Sequence, residues 1–378
     1  MSHDKIRTAI IGAGKVGHLH AKALGALAES EFVAVCSRNA ERAAAFAQQY
    51  NVKPYTDIAT MIRDVRVQAV VICTPHPAHA APALEAARAG AHILIEKPLA
   101  SDLKDCDAMI TATQSARVKL GVISQRRWYS PVQRVRAAID SGKIGKPILG
   151  MVMLLGWRDV AYYQADPWRG KWIEEGGGVL VNQAPHQLDL LQWFMGPIAE
   201  VFAYWDNLNH PYIEVEDTVI AALRFKNGAL GSIVVSNSQK PGLYGKVHVH
   251  GANGASVGVQ TDGGAMFVAG MSSVLEPPIN DLWTVPGEES SLAEWQAEDR
   301  ATFQQVDTTT YYHQLQDQDF LRALLENREP AITGVEGRKA VELFTAIYRS
   351  QRDRRPVQFP LDAEQGSEEF DGRLVKPH

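Results

Sequence analysis

The sequence predicts two domains of different class: an α/β, doubly wound parallel sheet at the N-terminus, and an α+β domain built on an open, largely antiparallel β-sheet with helices. Strand–helix alternation across residues 6–124 argues for the first. Strands joined by tight turns dominate from residue 148 onward and argue for the second. Gln125-Arg126-Arg127-Trp128-Tyr129-Ser130-Pro131 marks the change of pattern. The expected domains are therefore 1–124 and 125–360, with a polar tail, 361–378, expected to carry no packed structure.

In the first half, Thr8–Ile11 reads as a buried strand, and a helical stretch begins near His18. Between them lies Gly12-Ala13-Gly14-Lys15-Val16-Gly17, a G-x-G-x-x-G spacing in the strand-to-helix context that dinucleotide binding requires. Gly12 permits the tight turn, Gly14 lets the backbone approach a pyrophosphate, and Gly17 lets the helix pack closely. Lys15 and Val16 complete this expected cofactor loop, at a helix N-terminus suited to phosphate. The second strand, Phe32–Cys36, ends in Ser37-Arg38-Asn39. An acid there would bond the ribose 2′-hydroxyl of NAD, whereas an arginine accepts the 2′-phosphate of NADP. Ser37 and Arg38 stand there without an acid, which leans towards NADP over NAD.

The alternation continues through helices near 40–49 and 58–63 to the strand Ala69–Cys73, which ends in Thr74-Pro75-His76-Pro77-Ala78-His79. Ligands of open parallel sheets gather at the carboxyl ends of the strands. Thr74, Pro75, His76 and His79 are therefore expected to line the cofactor crevice. The pair His76 and His79 lacks a third ligand of matching spacing, so no metal is expected. A helix at 80–89 stops at Gly90, and the apolar strand His92–Ile95 delivers Glu96-Lys97-Pro98. Lys97 then sits where cofactor and substrate could meet. Glu96, Lys97 and Gln125 join the expected cofactor set. A helix at 103–116 and a strand at 120–123 close the domain.

In the second half, a helix near 132–141 precedes strands at 148–155, 201–205, 218–225, 229–235, 246–250 and 256–260, with Lys226-Asn227-Gly228 as a hairpin turn. Glu175-Gly176-Gly177-Gly178 runs into a helix that carries His186 and Asp189, three residues apart on one face. Asn182 joins that face if the helix reaches back to it, while Pro185 can instead mark the first turn. An aspartate that holds a histidine in one tautomer is a base-and-orienter arrangement. The stretch from Tyr162 to Trp172 is aromatic and polar, which suits a sugar ring or a subunit interface equally. Arg127, Trp168 and Arg169 are the expected substrate contacts, together with Lys97, Asn182 and His186. Two helices near 311–326 and 334–352 carry apolar residues at core spacing.

Composition bounds the function. The chain has 378 residues, 46% apolar and 21% charged, enough for two cores. A net charge of -5 argues against a nucleic-acid surface. Cys36, Cys73 and Cys106 have neither disulfide nor zinc spacing and fit a reducing cytoplasm. Met1-Ser2-His3-Asp4-Lys5 leads straight into a strand without a secretory segment, and the apolar runs are too short for a bilayer. A cytoplasmic protein with a small-molecule partner is expected.

Taken together, Gly12-x-Gly14-x-x-Gly17, Glu96-Lys97-Pro98, Gly176-Gly177-Gly178 and His186-x-x-Asp189 resemble the Gfo/Idh/MocA oxidoreductase family, in order and spacing, over residues 6–360. The resemblance implies a Rossmann domain, a C-terminal sheet that packs against another subunit in a homodimer or homotetramer, and sugar or cyclic-polyol substrates. It assigns the catalytic lysine to Lys97 and the histidine to His186. Many sugar and inositol dehydrogenases of the family look like Asp-x-x-x-His where this chain has Asn182. Asparagine bonds a hydroxyl but cannot act as a base.

The expected reaction is NAD(P)-dependent oxidation of a secondary ring hydroxyl of a sugar, glycoside or related polyol. Hydride transfer belongs to the cofactor, and the protein supplies orientation and charge. Lys97 can stabilise the developing alkoxide. His186 can take the proton, since imidazole titrates near neutrality, and Asp189 would orient it. The reverse division, with Lys97 as base, is equally open to these residues. The alternatives are a redox-neutral oxidation and elimination or isomerisation that restores its cofactor, a cis-dihydrodiol dehydrogenase, and a nicotinamide-binding sensor.

Overall fold

The first segment of the chain alternates as expected in a computed structural model, which describes residues 5–261 and 277–361. Its strands are β1 (Ile6–Ile11), β2 (Ser30–Cys36), β3 (Lys53–Tyr55), β4 (Ala69–Ile72), β5 (His92–Ile95) and β6 (Leu120–Val122). The helices between them are α1 (Lys15–Ala26), α2 (Ala40–Tyr50), α3 (Ile58–Asp64), α4 (Ala80–Arg88) and α5 (Leu103–Ala116). The six strands form one parallel sheet in the order β3-β2-β1-β4-β5-β6. β4 is buried along its whole length, as a central parallel strand covered on both faces must be. Local chemistry sets the helix starts. The side chains of Asn39, Asp57 and Asp102 each accept a hydrogen bond from the backbone N–H three residues on. The sheet order reverses between β1 and β4, the crevice in which such sheets bind ligands.

The remaining elements are α6 (Ser130–Asp140), β7 (Pro147–Trp157), α7 (Val160–Gln164), α8 (Trp172–Glu175), α9 (Val179–Asn182), α10 (Pro185–Met195), β8 (Ile198–Asp206), β9 (Thr218–Phe225), β10 (Leu230–Ser236), β11 (Ser238–Gly251), β12 (Ser256–Gln260), β13 (Ile279–Trp283), α11 (Ser291–Gln305), α12 (Tyr311–Leu325), α13 (Gly334–Asp353) and β14 (Val357–Gln358). Their sheet has eight strands in the order β13-β12-β11-β7-β10-β9-β8-β14. Every pairing is antiparallel except β10 with β7. Gly228, at φ +89°, makes the β9–β10 hairpin turn that Asn227-Gly228 predicts. One face of this sheet is covered: at Gly150 a side chain would meet Leu191 and Met195 of α10. The other face leaves Leu149, Met151, Tyr204, Ile220 and Leu230 exposed.

Contacts divide the chain into two units: residues 1–125 with 307–338, and residues 126–306 with 339 onward. The sequence pattern alone groups 307–338 with the second domain. The grouping differs because Phe320 and Leu321 of α12 enter the same core as Ile10, Val35 and Leu94. Gln316 also accepts from Ser124 N–H at 2.8 Å and donates to the Val122 carbonyl at 2.7 Å, finishing the β6 edge. Helical spacing shows that this segment has an apolar face, but not which core receives it. The expected tail lies, beyond residue 361, outside the described residues. No helix among the described residues is long and apolar enough to cross a membrane.

Candidate active site

In the first unit the glycine turn is fixed by close contacts. Gly12 lies at φ +112°, and a Cβ there would stand 2.8 Å from the Cys73 carbonyl carbon and oxygen. A Cβ on Gly17 would stand 2.3 Å from the Gly12 oxygen. Both positions exclude a side chain. Gly14 differs: it is the N-cap of α1, and a Cβ there would meet nothing within 4 Å. Among the described residues no side chain caps α1, and Gly14 and Lys15 are exposed with Val16 half-buried beside them. An open backbone at a helix N-terminus fits a pyrophosphate. Ser37 and exposed Arg38 follow β2, with Gly12 N–H bonded to the Cys36 carbonyl at 2.9 Å. Gln125 sits at the end of this unit with a buried Oε1 that has no hydrogen-bond partner among the described residues, as a ligand-facing amide would. These residues fit a nicotinamide dinucleotide.

The loops after β4 and β5 are tied together by His79. Its Nδ1 lies 3.0 Å from the Pro98 carbonyl and 3.2 Å from that of Leu99, and its Nε2 lies 2.9 Å from the Thr74 carbonyl. Thr74 Oγ1 donates to the Ala78 carbonyl at 3.0 Å. His79 was expected to face the cofactor; instead it is fully buried, with both ring nitrogens turned to main-chain oxygens. Its work is to join the Thr74 and Lys97 loops. Exposed Pro75 and half-buried His76 remain at the loop surface.

Glu96 and Lys97 follow β5. Glu96 Oε2 accepts from the Lys97 backbone N–H at 3.0 Å, and Oε1 lies 3.1 Å from His20 Nε2. His20 Nδ1 is 3.0 Å from Asp317 of α12. Burial favours neutral His20, but Asp317 and Glu96 outweigh it and hold the imidazole up at about 10. Burial likewise favours neutral Glu96, and the neighbouring His20, His313 and Lys97 hold its carboxyl down at about 2. Sequence reasoning missed His20, His313 and Asp317. His20 could have been noticed three residues after Gly17, but its partner Asp317 lies 297 residues away.

In the second unit Pro185 occupies the first turn of α10, and His186 follows it, 6% exposed. Asn182 is not on that helix; it ends α9. Its Nδ2 donates to Glu175 Oε1 and to Tyr162 Oη, the latter at 3.2 Å. Asp189 was expected to orient His186. The structure gives both its oxygens to Arg127, at 2.8 and 2.5 Å. Arg127, expected on substrate, is thus engaged in a buried ion pair and lies 4.9 Å from the Trp193 ring centre. Arg169 pairs with Asp166 and lies over Tyr162 at 4.1 Å and Trp168 at 4.9 Å.

The triple glycine serves the backbone. A Cβ on Gly178 would stand 1.9 Å from the Glu216 oxygen, and one on Gly177 would stand 2.3 Å from Tyr348 Oη. Glu216 accepts from Gly178 N–H at 2.8 Å, Leu180 N–H at 3.1 Å and Tyr348 Oη at 2.8 Å. Burial pushes both Glu175 and Glu216 up to about 7. Two buried carboxyls that titrate near neutrality, one of them on Asn182, are a further feature that the sequence reading did not single out.

A glycine-spaced first crossover, a lysine at the carboxyl end of β5 and a second unit with an open sheet define a nicotinamide-dependent oxidoreductase. The chain belongs to the Gfo/Idh/MocA family. Residues 6–124 match the oxidoreductase family model with NAD-binding Rossmann fold, and residues 132–257 match the GFO/IDH/MocA C-terminal domain. Among curated relatives, myo-inositol 2-dehydrogenase of Thermotoga maritima is 27% identical over 366 residues, 93% of this chain and 98% of the relative. The 1,5-anhydro-D-fructose reductase of Ensifer adhaerens is 32% identical over 230 residues, 60% of this chain and 68% of the relative. Among solved structures, the WlbA dehydrogenase of Bordetella pertussis, in complex with NADH and UDP-GlcNAcA, superposes with a TM-score of 0.83 at 32% identity, covering 96% of this chain and all of that one.

Proposed function

We propose that this enzyme oxidises a secondary ring hydroxyl of a sugar or sugar derivative, with Lys97 and His186 acting on the same hydroxyl. The observation that carries the reading is Lys97 at the carboxyl end of β5, in a sheet whose first crossover presents an open, uncapped helix N-terminus. When bound, the nicotinamide supplies the hydride acceptor. Lys97 places a cation at the developing alkoxide. His186 takes the hydroxyl proton as general base. Asn182, an amide, can orient a neighbouring hydroxyl through hydrogen bonds without taking a proton.

Among substrates, nucleotide-linked sugar acids enter the test because the WlbA structure holds UDP-GlcNAcA. Free sugars and inositols enter it because relatives are named for such substrates. Arg38 at the end of β2 favours NADP, while the NADH of the WlbA complex favours NAD. The experiment is a turnover panel with NAD⁺ and NADP⁺ across free sugars, sugar acids, UDP-sugar acids, inositols and a cis-dihydrodiol, followed by reduced-nicotinamide fluorescence. Reduction with one ring-hydroxyl class supports the reading. Consumption of substrate without reduction would replace it with a redox-neutral cycle.

The exposed row of Leu149, Met151, Tyr204, Ile220 and Leu230 supports a homo-oligomer formed through the second sheet. These positions alternate with buried ones along their strands, so they form one apolar face.

A further inference from the structure

We propose that His20 and Asp317 are positioning residues for Lys97: a buried Asp317–His20–Glu96 chain clamps the turn that carries the lysine and holds a fixed carboxylate beside it. The inference rests on the reading of Lys97 as a catalytic cation. Three segments supply the chain: His20 from α1, Glu96 from the end of β5, and Asp317 from α12. His20 is fully buried and Asp317 is 1% exposed. His20 spans two carboxylates, at 3.0 Å on Nδ1 and 3.1 Å on Nε2, so only the doubly protonated ring donates to both. The Glu96 oxygen left over takes the Lys97 backbone N–H. A carboxylate held from behind by a cation and bonded in front to the next residue's backbone has little freedom to turn, and neither has that backbone.

Among the described residues, the other charged or titratable groups beside this chain are His313, whose Nε2 is 3.7 Å from Glu96 Oε1, Lys97 beside Glu96, and Cys73, whose buried thiol is pushed up by burial and by the charges of Glu96 and Asp317. Burial pulls the His313 imidazole down, against the charges of Glu96 and Asp317. His20, Glu96 and His313 also lie close enough to surround a metal ion. The ring that donates to Glu96 has no lone pair left for a metal, and the bonded chain is the arrangement the distances favour.

Two substrate-free measurements and one kinetic series test the proposal. Nitrogen-15 imidazole spectra of the whole protein should keep His20 protonated from pH 6 to 9, and Asp317→Asn should move its titration into that window. A neutral His20 at pH 8 in the wild type would overturn the chain, and so would stoichiometric zinc in the purified protein that is lost in His313→Ala. In turnover with the substrate found above, Asp317→Asn should lower kcat at least tenfold at pH 8, with KM and cofactor Kd within threefold. It should also acquire an alkaline loss of kcat between pH 6.5 and 9 that the wild type lacks, and Asp317→Glu should restore much of both. A uniform drop across pH, or a wild-type profile in Asp317→Asn while Lys97→Ala is inactive, defeats the positioning role alone. Full turnover by Lys97→Ala defeats the reading of Lys97 and the inference with it.

Discussion

Asp189 offers both carboxylate oxygens to Arg127, in an ion pair whose side chains are only 10% and 8% exposed. The pair joins α10, which carries His186, to the short turn Gln125–Trp128. Breaking such a pair by removing one partner leaves a buried charge unmatched, at a cost of about 3–5 kcal/mol. Arg127→Met should lose that much stability in urea unfolding, and Arg127→Met with Asp189→Leu should recover most of it. A loss under about 1 kcal/mol in the single variant contradicts the structural role.

Gly14 and Gly17 separate binding from folding. Gly17→Ala forces a methyl against the Gly12 oxygen and should lower the Tm along with cofactor affinity. Gly14→Ala meets nothing within 4 Å among the described residues, so its Tm should match the wild type. Its nicotinamide dinucleotide Kd, read by fluorescence titration, should nevertheless rise at least about tenfold, because the added methyl stands where the backbone must approach the pyrophosphate. Unaltered affinity in Gly14→Ala would remove this loop from the cofactor site.

Glu175 gives a pH signature. Its folded carboxyl is pushed up by burial to about 7, against 4.5 for a freely solvated glutamate. Between these values the folded chain holds a proton that the unfolded chain has released. The stability it contributes is therefore complete below 4.5 and lost as pH rises through 7, on the order of 3 kcal/mol. Glu175→Gln should flatten the fall in unfolding free energy between pH 5 and 8 relative to the wild type. Parallel curves for the two proteins would show that Glu175 ionises normally.

The exposed sheet face predicts association. Tyr204→Glu with Ile220→Glu places two charges on neighbouring strands in direct register, since Tyr204 pairs with Ile220. Light scattering should show the wild type as an oligomer and this variant as a monomer with the fold intact. A monomeric wild type would contradict the oligomer.

Much of this was readable in the sequence because local rules fix it. Gly12 and Gly17 are where a turn and a close packing demand glycine, and the apolar runs at 69–72 and 92–95 are buried strands as written. Pro185 marks a helix start, which leaves Asn182 off the helix. Pairings between distant segments were not readable. His186 and Asp189 share a helix, yet the arginine that takes Asp189 comes from 62 residues upstream. The apolar spacing of α12 announces a buried face, but on that helix Asp317 meets His20, and His313 meets Glu96, only through the three-dimensional fold. The short helices α7, α8 and α9 fall in a stretch dense with aromatics and breakers, where periodicity has too few residues to register.

The most direct test of the central claim is single-turnover hydride transfer in Lys97→Ala and His186→Ala, with cofactor Kd measured on the same samples. Both variants should bind the dinucleotide within about threefold of the wild type and transfer hydride at least about a thousandfold more slowly, the scale on which a lost charge-stabilising or proton-accepting group acts. A wild-type transfer rate in either variant would contradict it.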